Sequence, residues 1–307
     1  MPMPVAAGHP QLSGSVVPNA IWSGKLLVKF YEATVLADIS NTEYEGEIAN
    51  MGDQVEIRTT PSITINDYVK GQNLQTQRPE SDVVELKIDQ GKYWQFVADD
   101  VDKFQSDYDF INDWTRDASE QLKIKIDTDI LGTVYSDVHA SNQGATAGAE
   151  SGSFNLGTTG SPVAIDKTNV VEYIADLGTV LDEQNVPESG RWMVLPPWMC
   201  NLIKKSDLKD ASLSGDGTSI MRNGRLGIID RFMLYNSNLM AKTTDGANTV
   251  TNIVAGHKSA LTFASQMLEN ESIRAESTFG TLFRGLQVYG YKVIKPEAMC
   301  WLYAYKG

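Results

Sequence analysis

Asp99, Asp100 and Asp102 are spaced closely enough to share a divalent cation or to pass a proton between carboxylates. They also open a long apolar-periodic stretch. Carboxylates there cap a helix and meet the positive end of its dipole, which is the simpler reading. Asp127 and Asp129, with Gly132 following, have the outline of a calcium loop. The twelfth position from Asp127 is Val138, where such a loop needs a bidentate Glu, so no calcium site is expected. His9, His139 and His257 lie in separate segments and fit no zinc spacing; they read as surface or hydrogen-bonded imidazoles. There is no P-loop, no G-x-G-x-x-G and no G-x-S-x-G. Asn270-Glu-Ser272 matches a glycosylation acceptor but stands without a secretory signal. Cys200 and Cys300 are the only cysteines and read as packing residues in a reducing compartment. Lys204, Lys205, Lys209, Arg222 and Arg225 are interleaved with Asp207, Asp210 and Asp216, so they suit a mixed-charge rim better than a nucleic-acid patch. No catalytic residue, cofactor or metal is expected.

These residues need elements to position them. Residues 1–20 are rich in proline and small residues and read as an extended arm. Ala20 to Leu36 has a helical apolar pattern that Asn19 could cap. Phe104, Tyr108, Ile111, Thr115, Ala118, Leu122 and Ile126 form one stripe at helical spacing, predicting a long helix that ends near Tyr135–His139. Residues 141–162 are small and polar and predict a flexible connector and the main domain boundary. Beyond it the pattern is α/β. Val170, Ile174, Leu177 and Leu181 mark a helix, Arg191–Leu195 a buried strand, and Pro197 the first position of a second helix. A Gly/Ser-rich loop is expected over 209–227. Strands follow at about 227–236, 251–257 and 259–268, and the C-terminus is a strand with Trp301, Tyr303 and Tyr305 on one face. Aromatics alternating on a strand are read as core or interface rather than a stacking platform.

Residues 52–102 pose a different problem. Val55 and Ile57 alternate with Glu56 and Arg58; Val84, Leu86 and Ile88 alternate with Glu85 and Lys87. Each run is a strand with one apolar and one polar face. The stretch joining them is long and polar, with Leu74 as the only large apolar residue between Gly71 and Asp82. An isolated hairpin of this kind is marginal, because ordering its backbone costs about 1–2 kcal/mol per residue and few side chains are available to offset it. Another surface, on the same chain or a neighbouring copy, must receive the apolar face.

The formal charge is −13 over 307 residues, which disfavours general nucleic-acid binding. Residues 99–129 alone hold ten carboxylates against four cations, a net of −6. No run of apolar residues is long enough for a membrane helix, and no signal peptide is expected.

The order of parts, together with "VVPNAIWSGKLL" (16–27), "NTEYEGEIANMGDQVEI" (41–57), "LKIDQGKYWQFVADDVD" (86–102) and "GLQVYGYKVIKPEAM" (285–299), resembles the major capsid proteins of tailed bacteriophages with the Hong Kong 97-type fold. The resemblance implies an α+β chain. Residues 1–50 would be the N-terminal arm and 51–98 the extended β-hairpin, or E-loop. Residues 99–160 would be the P domain with its spine helix over about 103–138, 161–262 the A domain, and 263–307 the returning P-domain strands. It implies a non-enzymatic chain that assembles as pentamers and hexamers into an icosahedral shell around double-stranded DNA, without sequence-specific binding. Assembly would occur in the host bacterial cytoplasm, with a separate scaffolding protein and a portal, and the shell could carry a decoration protein. The E-loop would lie across adjacent subunits. Val55, Ile57, Val84, Leu86 and Ile88 would meet the neighbour, with Glu56, Arg58, Glu85 and Lys87 setting register. Replacing Ile57 and Leu86 by Asp would then spare folding and block assembly. The acidic helix would line the interior and let DNA slide. Two alternatives are a cargo-holding compartment of the encapsulin type and an α/β enzyme with a dispersed carboxylate site.

Overall fold

The computed structural model describes residues 34–43, 54–61, 63–81, 83–100, 110–206, 227–275 and 279–307. The proline-rich arm, the helix expected up to residue 33, the Gly/Ser-rich loop, His9, Asp102 and the cluster members Asp207, Lys209, Asp210, Asp216, Arg222 and Arg225 lie outside them. Val35 is not helical, so Leu36 begins a new four-residue turn, α1 (Leu36–Ile39), rather than ending a long helix.

Two strands follow, β1 (Gln54–Arg58) and β2 (Val83–Lys87), paired antiparallel. After Ile88 and Asp89 the chain continues into β3 (Gln90–Asp99). The long helix α2 spans Phe110–Leu131. Over its described part the expected stripe holds: Ile111, Thr115 and Ala118 are half-buried and Leu122 and Ile126 are buried; Ile130, one turn further on, is buried as well. Phe104 and Tyr108 lie outside the described residues. The α-helix stops four residues before the expected end. Gly132 is a poor helix former, and the Thr133 hydroxyl donates to the carbonyls of Asp129 and Ile130. The chain then tightens into a 3-10 turn, Val134–Asp137.

Residues 141–162 are not a loose connector. Asn142 is buried and donates to the carbonyls of Glu297 (2.7 Å) and Met299 (2.8 Å). Ala147 bridges Phe154, Thr158 bridges Ser161, and Ala147 and Leu156 are fully buried. Small residues are needed here because backbone packs on backbone. Gly157 has φ +83°, and a Cβ on it would lie 2.4 Å from the Tyr303 carbonyl oxygen.

The remaining elements are β4 (Val163–Ile165), α3 (Val170–Glu183), β5 (Arg191–Leu195), α4 (Pro197–Lys205), β6 (Ile228–Ile229), β7 (Phe232–Asn236), β8 (Lys242–Asp245), β9 (Asn248–His257), β10 (Leu261–Arg274), β11 (Gly280–Val293) and β12 (Met299–Lys306). Seven strands form one mixed sheet in the order β4-β12-β9-β5-β7-β6, with β8 beside β9. β5 is buried at every residue, as a central strand reading Arg-Trp-Met-Val-Leu requires. Val170, Ile174, Leu177 and Leu181 of α3 are buried in the same core as β5 and β12. Three further strands form a second sheet, β10-β11-β3. One continuous core joins α1, α2, α3, α4 and the large sheet, and a small separate core lies under β1 and β2. Among the described residues no helix is long and apolar enough to cross a membrane.

Candidate functional site

The arm built from residues 54–88 has two parts with opposite environments. At its base Val55 faces Leu86 and Ile57 faces Val84, so these four side chains share one side of the pair. That side is not open. Ile57, Leu86 and Ile88 are buried with Ala264 of β10 and Val288 of β11, and Val55 and Ile294 pack at the margin. Each fully buried aliphatic contributes about 1.5–3 kcal/mol, enough to hold a short two-stranded pair in place. The same chain therefore supplies the surface assigned above to a neighbour for Ile57, Leu86 and Ile88. A substitution of Ile57 and Leu86 by Asp would bury charge within the subunit and would not spare folding.

The polar side also differs from expectation. Glu56 stands directly opposite Glu85, and Arg58 opposite Val83, so no opposite charges meet across the strands. Lys87 instead pairs with Glu85 on its own strand at 2.7 Å. Its hydrogen bond holds the Glu85 carboxyl below the usual range, and Glu85 in return raises the Lys87 ammonium. Among the described residues Glu56 and Arg58 form no ion pair. Within the subunit the four charges therefore make no pair between β1 and β2, and the contact between these strands lies on their apolar side.

Beyond the base, residues 63–81 are exposed throughout. Thr64 and Gln77 clasp the two limbs, with Thr64 N–H donating to Gln77 Oε1 (3.1 Å) and Gln77 Nε2 to the Thr64 carbonyl (2.8 Å). Gln72 N–H donates to the Val69 carbonyl to close the tip. Large apolar side chains are nonetheless presented to solvent: Ile65 at 89% exposure, Leu74 at 79%, with Ile63, Tyr68 and Val69 above 60%. Ile63, Ile65, Tyr68 and Val69 are not among the sequence-based candidates: Ile63 and Ile65 alternate about Thr64, but Tyr68 and Val69 are adjacent and the run ends after two apolar positions.

A second exposed apolar surface lies on the sheet β10-β11-β3. On one side Trp94 and Phe96 stack, Phe96 stacks on Phe283, and Trp114 of α2 meets Phe96 edge-on. On the other side Tyr93, Val97 and Ile273 are exposed. Tyr93, Gln95, Glu271, Arg284 and Leu286 line a groove there, in which Arg284 pairs with Glu271.

The remaining candidates are accounted for by packing. Asp100 pairs with Arg274. His139 accepts the Ser141 N–H, and His257 bonds Ser259 and the Ser189 carbonyl, at separate places in the fold. Burial pushes the Cys200 thiol up to about 11 and the Cys300 thiol to about 12, so neither is a reactive thiolate. Lys204 and Lys205 end α4. Trp301 lies between Tyr135, tilted against it, and Tyr303, which meets it edge-on, and donates to Asn252; the Tyr303 hydroxyl donates to Asp245. The described part of the acidic helix is largely compensated: Arg116 pairs with Asp113, Lys123 with Glu120, and Lys92 and Lys125 with Asp129.

A family model described as phage capsid protein matches residues 82–302. A solved chain from Mycobacterium phage Che8 is 28% identical with a TM-score of 0.75, over 93% of this chain and 97% of that one. The capsid of cyanophage P-SCSP1u superposes at a TM-score of 0.73 and 16% identity, over 97% and 96% of the two chains. The capsid of a native GTA particle superposes at 0.66 and 15% identity, over 95% and 97%. Comparison with curated proteins finds no match.

Proposed function

The chain belongs to the phage capsid protein family as a major capsid protein of the tailed-bacteriophage type with the Hong Kong 97-type α+β fold, and on that premise we propose that copies join through the arm 54–88 into pentamers and hexamers of an icosahedral shell enclosing double-stranded DNA. As a capsid protein it is a structural component of the virion.

The observation that carries the reading is the division of the arm. Its base is fixed to β11 by Ile57, Leu86 and Ile88, while its distal part holds five large apolar side chains in water. A rigid base with an unburied apolar end fits an element completed by a second copy. The outward side of β10-β11-β3, with Tyr93, Val97 and Leu286, is an apolar surface of the kind such an arm would cover. In this reading residues 1–50 are the N-terminal arm, 51–98 the E-loop, 99–160 and 263–307 the P domain, and 161–262 the A domain. A separate scaffolding protein and a portal would join assembly in the host cytoplasm, a decoration protein could bind the finished shell, and DNA would be held without sequence-specific contacts.

Electron microscopy and sedimentation of the full chain, with and without a scaffolding protein, test this reading. Closed shells or capsomers in which residues 63–81 become protected from protease are expected. A stable monomer under all conditions, or shells in which 63–81 stay as cleavable as in the free chain, would overturn it.

A further inference from the structure

Asp127 of α2 is a buried carboxylate that pairs with no cation among the described residues. It is 4% exposed, and its Oδ2 accepts the backbone N–H of Val35 at 2.7 Å and of Leu36 at 3.2 Å. Those amides open α1, where a helical turn leaves its first N–H groups without carbonyl partners. Val35, Leu36 and Ile39 are buried in the main core together with Leu122, Ile126 and Ile130 of α2. At the other end of the segment, Asn41 N–H donates to the Leu261 carbonyl and Phe263 N–H to that of Asn41. Residues 35–41 are thus fixed by Asp127 at their start and by β10 at their finish.

The neighbouring charges are engaged elsewhere. Asp38 of α1 is exposed. Lys125 and Asp129 of α2 pair with each other, and Lys92 of β3 pairs with Asp129. From β11, Tyr289 hydrogen-bonds Asp129 and Tyr291 hydrogen-bonds Thr133. None of these groups hydrogen-bonds Asp127, and among the described residues its second oxygen, Oδ1, has no partner.

We propose that Asp127 is a proton-sensitive latch pinning residues 35–41 to α2, tighter when the carboxyl is protonated than when it is ionised. The geometry supplies the reason. Both amide bonds fall on one oxygen, so a proton on Oδ1 removes the buried charge while Oδ2 remains an acceptor. In the ionised state no cation among the described residues offsets the desolvation of the carboxylate, and two amide donors offset it only in part. Burial accordingly raises the carboxyl above its ordinary range, against the smaller opposing pull of the two amides. For an acid raised by folding, the latch is strongest below the ordinary carboxylate value and weakens as pH climbs through the raised one.

Hydrogen exchange of the full chain tests this, read as protection factors of Val35 and Leu36 corrected for intrinsic exchange between pH 4 and pH 8. The wild type is compared with Asp127→Asn and Asp127→Ala. Wild-type protection is expected to fall with rising pH, by about tenfold for each unit by which burial raises the carboxyl. Asp127→Asn keeps an acceptor without charge and is expected to stay protected with no pH dependence. Asp127→Ala leaves both amides unpaired and is expected to lose protection at every pH. The Asn variant keeps the proposal falsifiable if the Ala variant does not fold. Loss of protection or of folding in Asp127→Asn would mean that the charge itself holds the segment, and would overturn the proposal. A wild-type profile parallel to that of Asp127→Asn would do the same.

Discussion

Gly290 of β11 lies against the end of β2 so closely that a Cβ on it would stand 2.0 Å from the Lys87 carbonyl oxygen and 3.1 Å from Ile88 Cα. This crossing brings Leu86 and Ile88 down onto Val288 and Ala264. Gly290→Ala would meet backbone on the opposing strand, which cannot rotate aside as a side chain would. Overpacking ordinarily costs about 1–3 kcal/mol, and a backbone clash belongs at the upper end. The melting temperature should fall, and limited proteolysis should cut within 54–88 before the rest of the chain. An unchanged melting temperature would show that β1 and β2 are not seated on β11 in solution.

The two parts of the arm should respond differently to charge. Ile65→Asp with Leu74→Asp places two carboxylates where the chain already meets water, at 89% and 79% exposure. Thermal stability of the free subunit should change by less than about 0.5 kcal/mol, as for other surface changes. Shell formation, measured by sedimentation, should be abolished. Leu86→Asp puts a lone carboxylate at a fully buried position and should lower subunit stability by several kcal/mol, on the scale of uncompensated buried charge. Normal shells from the double tip variant would remove the tip from the assembly contact.

Asp182 gives a pH dependence of defined sign. Burial alone would raise its carboxyl, but hydrogen bonds from Arg191 (2.6 Å) and Arg231 (2.8 Å) outweigh that and hold it below the usual range. An acid lowered by folding adds stability above its ordinary value, near pH 4, and loses it as pH falls through the depressed one. Asp182→Asn should therefore melt below the wild type at pH 7, and the gap should close on acidification below about pH 4. A gap independent of pH would mean that Asp182 acts by shape rather than charge. Arg191, whose side chain is wholly buried, keeps its bonds to the carbonyls of Gly178, Val186 and Pro187 in either case.

The sequence located α3 by its one-sided apolar stripe at Val170, Ile174, Leu177 and Leu181, β5 by an unbroken apolar run, and α4 by Pro197 at its first position. In the sequence the β6–β7 hairpin reads as one strand at about 227–236. Its turn is Asp230–Arg231, at φ +43° and +67°, and carries no glycine or asparagine to mark it. Contacts distant in sequence hold it, with Arg231 reaching Asp182 and Glu188. The arm was visible as two alternating strands, but alternation identifies an apolar side without saying what covers it. That Val288, Ala264 and Gly290 lie beneath Leu86 is a fact of topology. Small residues at 141–162 misled for a related reason, since composition does not distinguish a tether from backbone packed too tightly for side chains.

That last distinction can be tested at two glycines of the same stretch. Gly152 and Gly157 both have positive φ, +53° and +83°. A Cβ on Gly152 would meet nothing within 4 Å, whereas one on Gly157 would press on the Tyr303 carbonyl oxygen at 2.4 Å. Tyr303 N–H also donates to the Leu156 carbonyl at 2.8 Å, so residues 156 and 157 are stitched to β12 from both directions. Gly152→Ala should incur only the left-handed backbone term, about 1–2 kcal/mol. Gly152→Asn should cost less, because Asn visits that region readily. Gly157→Ala carries the same term together with displacement of β12 at Tyr303, a side chain 3% exposed, and should be the more destabilising by at least about 1 kcal/mol. Chemical unfolding of the three variants measures the difference. Equal, small effects at both positions are what a solvated tether would give, and would refute the packed role assigned to 141–162.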